Sequence, residues 1–77
     1  MEYDKNKVDA VVLALLYLNS FPDDNIVRAW KSYDWGAMNR LHEKGLITNP
    51  KSKVKSIVFT EEGLNASEEL FKKYFSA

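Results

Sequence analysis

Trp35 to Gly63 reads WGAMNRLHEKGLITNPKSKVKSIVFTEEG, and this stretch decides the fold. Its first third carries Met38 and Leu41 on one side at helical spacing, with Arg40 and Lys44 on the other. Asp34 stands in front as an N-cap, and Gly45 follows as the residue that closes a helix in the left-handed conformation. This predicts a helix over 35–44. Leu46-Ile47-Thr48 and Val54 to Phe59 are rich in β-branched and aromatic residues and read as two short strands. Asn49-Pro50 starts the turn between them. Thr60 is the N-cap of a last helix, and Glu61 and Glu62 suit the positive end of its dipole. That helix is expected to reach about Phe75.

Upstream, Val8, Val11, Val12, Leu15, Leu16 and Leu18 recur at helical spacing and predict a helix over about 5–19. Leu13 and Tyr17 widen its apolar arc, which suits a helix central to the core or shared with a second copy. Pro22 disfavours helix at Phe21 and ends it. Asp23 or Asp24 can cap a short second helix over about 25–31, with Ile26, Val27 and Trp30 as its apolar set. Ser32-Tyr33-Asp34 is then the turn into the helix at Trp35. Helix, turn, helix, hairpin, helix is the outline of a winged helix-turn-helix. The expected class is mainly α with a small antiparallel β-hairpin, three to four helices plus a wing, in a single domain over 1–77.

The chain has 77 residues and no cysteine, so disulfides are excluded and a zinc site would rest on one histidine and carboxylates. Stability must come from apolar burial, from aromatics or from a second copy of the chain, and two Trp, four Tyr and four Phe supply large rings for it. The apolar run Ala10 to Leu18 is too short to cross a bilayer, and Asp4 and Asp9 stand where a signal peptide carries basic residues. The expected location is cytoplasmic, with no membrane partner.

Net charge is zero, yet it is unevenly spread. Residues 28–55 hold seven basic side chains against Asp34 and Glu43, and the two ends hold the compensating acids. A basic middle coincides with the helix and wing that such a fold lays on phosphate.

Three runs carry a resemblance: RAWKSYDW (28–35), LHEKGLI (41–47) and VFTEEGLNASEELF (58–71). They resemble a family of small uncharacterised bacterial proteins known only as a domain of unknown function. The similarity covers nearly the whole chain, and the RAWK-x-aromatic-DW run is its most specific part. More distantly, residues 41–63 are similar to the helix-wing-helix part of bacterial winged-helix regulators. The resemblance implies the fold and no catalytic residue.

Candidate binding residues follow from the outline. Arg40, Lys44 and Asn39 on helix 35–44 are placed to read base edges and phosphates, with Gly36 and Ala37 small enough for close approach. Lys51, Lys53 and Lys55 lie on the wing, 48–56, where each phosphate contact steepens the salt dependence of binding. Glu43 opposes this reading. His42 falls on the apolar side of its helix and is expected as a partly buried core residue. Trp30, Tyr33 and Trp35 are expected as core at the elbow, with Tyr33 the most exposed. No nucleophile motif, acid-base pair or phosphate loop is present, so neither an enzyme nor a cofactor nor a small-molecule substrate is expected. The expected partners are double-stranded DNA and a second copy of the chain in a homodimer. The alternative is a protein-interaction or self-association module that does not bind DNA.

Overall fold

A computed structural model describes residues 1–77. Three helices and a three-stranded antiparallel sheet follow in the order α1 (Lys5–Leu18), β1 (Phe21–Asp23), β2 (Ile26–Trp30), α2 (Trp35–Glu43), β3 (Ser56–Val58) and α3 (Glu61–Phe75). The sheet order is β1-β2-β3. The class is therefore mixed α/β, with more sheet than the expected single hairpin. No helix is long and apolar enough to cross a membrane.

The expected helix over 25–31 is strand β2. Asp24 does not cap it; Asp24 sits at φ 55° in the two-residue turn between β1 and β2. Short Asp and Asn side chains tolerate that left-handed conformation and favour turns. Beyond the turn, Val27 and Ala29 face the core while Ile26, Arg28 and Trp30 face outward, the alternation of a half-buried strand. Pairing with β3 through Arg28↔Val58, Ala29↔Ile57 and Trp30↔Ser56 overrides the helix-like spacing. Thus α2 is entered from a sheet rather than from a companion helix.

The remaining punctuation agrees with the residues. Asp34 accepts the Ala37 amide at 3.0 Å and caps α2. Gly45 takes φ 76°, while the amides of Gly45 and Leu46 return to the carbonyls of His42 (2.9 Å) and Leu41 (3.1 Å). This is a Schellman closure. The first wing strand shrinks to the bridge Ile47↔Phe59, with the Thr48 amide donating to Val58 O at 2.9 Å. The second is regular only over 56–58, and residues 51–55 form an exposed loop.

The core joins Val12, Leu13 and Leu16 of α1, Ala29 of β2, Ala37, Met38 and Leu41 of α2, and Ile47, Ile57 and Phe59. Helix α1 packs along α3 and against α2. The elbow aromatics depart from expectation. Tyr33 packs against the core, and Asn19 Nδ2 donates to its hydroxyl at 2.7 Å. Trp30 and Trp35 are 54 % and 56 % exposed. Trp30 points outward because β2 alternates, and Trp35 because it lies off the side of α2 that carries the buried Ala37, Met38 and Leu41.

Helix α3 starts against the turn that ends α2. Thr60 Oγ1 accepts the Gly63 amide (3.0 Å) and donates to Gly45 O (2.7 Å), while the Thr60 amide donates to Leu46 O (3.1 Å). The approach is so close that a Cβ on Gly63 would lie 1.7 Å from Leu46 O. A backbone clash cannot be relieved by a rotamer change. Gly63→Ala is expected to cost about 3 kcal/mol, the upper end of overpacking. Thermal unfolding by circular dichroism should show a midpoint lower by more than about 10 °C. An unchanged midpoint would contradict the close approach.

Candidate nucleic-acid interface

Asp9 lies on the stripe of α1 that carries Val12, Leu13 and Leu16, one turn from its N-terminal end, and it is only 2 % exposed. A buried carboxylate requires a partner of opposite charge. Arg40 supplies it from α2. Its Nε donates to Oδ1 and Oδ2 at 3.0 and 2.8 Å, and its Nη2 donates to Oδ1 at 2.8 Å. Lys44, one helical turn further on, donates from Nζ to Oδ2 at 3.4 Å. Arg40 and Lys44 thus form an i, i+4 pair that closes on one carboxylate across the α1–α2 interface.

Burial by itself raises the Asp9 pKa, but the hydrogen bonds and charges of Arg40 and then Lys44 outweigh it. The carboxyl is held below its usual value of 3.8. In turn the hydrogen bond that Arg40 donates to Asp9, ahead of the opposing cost of burial, pushes Arg40 further above its already high value.

This geometry changes the reading of α2. Arg40 was expected to face solvent and a base edge; its guanidinium instead lies against α1 and is largely consumed by Asp9. It also folds back over Gly36, where an added Cβ would meet Asp34 Oδ2 at 3.1 Å and Arg40 Nη1 at 3.2 Å. Gly36 makes room for this ion pair rather than for a groove. Ala37 is fully buried and faces the core. Asn39 is half-buried and its side chain makes no hydrogen bond within the chain. Lys44 keeps about half its side chain in solvent, at 47 % exposure. His42 is exposed, not in the core, with Nδ1 3.1 Å from Ile47 O.

The lysines of the loop before β3 differ from Arg40 in exposure and pairing. Lys51, Lys53 and Lys55 are all exposed, and no carboxylate lies within salt-bridge distance of any of them. Sequence explains this, since no acid occurs between Glu43 and Glu61. The loop carrying them is nonetheless held. The Asn49 carboxamide accepts the Lys51 amide at 2.9 Å, and Pro50 is buried. Lys31 reaches over from the end of β2 and donates through Nζ to Pro50 O at 2.8 Å and to Ser52 O. The Lys31 amide also donates to Lys55 O at 3.2 Å. One basic residue of the middle segment is therefore spent on shaping the loop, and three are displayed by it.

Asp9 is the residue that a reading of the chain by charge passes over. Its position, three and seven residues before Val12 and Leu16, places a carboxylate in the core stripe, which is the signal that it needs a cation from another element.

Two outcomes follow. Arg40→Ala strands the Asp9 carboxylate and should lower the thermal midpoint by more than about 5 °C, with Arg40→Lys intermediate because an ammonium lacks the fork. The pH dependence has a definite sign. Because the folded pKa is depressed, the stabilisation is complete above the unfolded value near 3.8 and is lost as pH falls through the lower folded value. Between pH 5 and pH 3 the wild-type midpoint should fall more steeply than that of Asp9→Asn. Parallel curves would remove Asp9 as a stabilising charge.

Comparison with known proteins agrees with the resemblance to a family of small uncharacterised bacterial proteins. The chain is 51 % identical over 76 residues to "Uncharacterized protein y4hR" of Sinorhizobium fredii (strain NBRC 101917 / NGR234), which covers 99 % of both chains. No solved structure matches. A family model matches residues 4–77, and with the full-length relative it establishes that the chain belongs to the family described as Domain of unknown function (DUF6429).

Proposed function

We propose that this chain is a small, non-catalytic nucleic-acid-binding protein that holds the phosphate backbone through the loop between Ile47 and β3. The observation that carries the reading is the set Lys51, Lys53 and Lys55, exposed together on a braced loop with no carboxylate at hand. Cations that release counterions from phosphate are the main source of non-specific affinity. In this reading the loop is a wing in the functional sense, and Lys44 and Asn39 on α2 add contacts. Arg40 contributes by keeping α2 in place against Asp9, rather than by touching a base. A chain of zero net charge then binds through a local field, not a global one.

The test is fluorescence anisotropy with labelled oligonucleotides over a salt series. Three phosphate contacts give a log–log salt slope of about −3 on duplex and about −2 on single strands. Lys51→Gln/Lys53→Gln/Lys55→Gln should abolish measurable binding and leave the thermal midpoint within about 3 °C, since none of the three amino groups is paired. Binding that survives the triple substitution, or that is absent at low salt, would end the reading.

A second reading, self-association, has its own support. The accessible surface is 5348 Å², against about 4,800 Å² expected for a folded monomer of this mass. Leu18, Tyr74 and Phe75 are exposed at the adjoining ends of α1 and α3, where Tyr17 and Phe71 already stack at 5.4 Å. Light scattering coupled to size exclusion should give twice the monomer mass at micromolar concentration. A strictly monomeric profile would leave nucleic-acid binding as the sole reading.

A further inference from the structure

The outer face of the sheet carries an aromatic surface that the core does not use. Trp30 and Phe21 stand side by side across β2 and β1, ring centroids 5.2 Å apart and planes tilted by 36°. They do so because Phe21 is paired with Arg28, and Arg28 and Trp30 point to the same face. Trp30 is more than half exposed, so it packs on Phe21 while much of its indole stays open to solvent. A large ring in the open on a rigid strand is costly to leave wet, and it presents a preorganised π-surface.

This surface adjoins the lysine loop. Trp30 is directly paired with Ser56, the first residue of β3, and the loop runs into β3 through Val54 and Lys55. The hydrogen bonds from Lys31 to Lys55 O, Pro50 O and Ser52 O lock the loop beside the end of β2. Arg28, the other cation on this face, is already held by Asp23 at 2.8 Å and by Ser56 Oγ at 3.2 Å. The unpaired cations on the segment that leads into β3 beside Trp30 are therefore Lys51, Lys53 and Lys55.

We infer that this face binds single-stranded nucleic acid, with one base stacked on Trp30 and the adjoining phosphates held by Lys51, Lys53 and Lys55. The inference rests on the phosphate-binding role proposed above for the loop and adds the form of nucleic acid. A duplex hides its base faces, whereas an unpaired base offers a π-face to an aromatic side chain whatever its identity. Charge complementarity selects the occupant: three unpaired cations on the loop that leads into the strand beside an open ring suit a polyanion that also carries flat rings, and an acidic peptide satisfies only the first half.

The test uses the full chain with Trp35→Phe, which leaves Trp30 as the single tryptophan. Titration with (dT)12 or (rU)12 should quench its fluorescence, and a 12-base-pair duplex or poly-glutamate should quench it little and bind at least roughly tenfold more weakly. Trp30→Ala should weaken single-strand binding roughly tenfold while Trp30→Phe retains most of it. Preference for (dT)12 or for (rU)12 identifies DNA or RNA as the source; either supports the inference. Equal binding of duplex and single strand, unaffected by Trp30→Ala, would overturn the inference and leave the lysine loop as a general phosphate contact. Loss of all nucleic-acid binding would overturn both. Poly-glutamate bound as tightly as (dT)12 would point to an acidic protein partner instead. Circular dichroism of each variant separates lost binding from lost fold.

Discussion

The Asp9 carboxylate, sealed between α1 and α2 and held by Arg40 and Lys44, is the constraint on which the arrangement of this chain depends. The apolar contacts of α1 with α2 are non-directional and would tolerate several ways of sliding one helix along the other. A buried carboxylate does not tolerate them, because its oxygens must find donors. The fork of Arg40 meets Asp9 in only a narrow range of helix positions, so the ion pair converts a greasy contact into a defined one. Asp9 also compensates the charge of Arg40 and ties Lys44, which stays 47 % exposed, to the same carboxylate. Charge counted along the chain therefore overstates the field available to a ligand.

The second constraint is the way α3 meets the rest. Gly45 turns the chain sharply out of α2, and Thr60 binds the backbone of that turn with its hydroxyl and its amide. Gly63 lets the first turn of α3 press onto Leu46. The ends of two helices and the base of the loop are thereby joined in one backbone-to-backbone contact. The loop of Lys51, Lys53 and Lys55 springs from this joint on one side and is tied down by Lys31 on the other. A loop held at both ends fixes the backbone that carries these lysines.

The two tryptophans show how strongly a small sheet governs its neighbours. In a helix over 25–31, Trp30 would share a side with Ile26 and Val27 and turn toward the core. As a strand, the same residues split between two faces, and Trp30 emerges beside Phe21. The aromatic surface is a consequence of the strand pairing with β3, a contact that links residues 26 to 30 apart in the sequence. Large rings in a small domain are usually enlisted for its core; here both tryptophans are more than half exposed.

What the chain alone determined is its punctuation and the helices that this punctuation bounds. Asp34, Gly45 and Thr60 act through bonds to residues a few positions away, so their roles are readable locally. The periodicity of α1, α2 and α3 is likewise local. Only the tertiary structure decided between helix and strand for 26–30, because Ile26, Val27 and Trp30 satisfy either pattern and the partner strand lies far along the chain. Only the tertiary structure could assign Arg40, since a cation on a polar helix face looks alike whether it meets phosphate or a carboxylate from another helix. The exposed lysines were legible, as no acid stands near them in sequence; the exposure of Trp30 was not, because it is set by pairing at a distance.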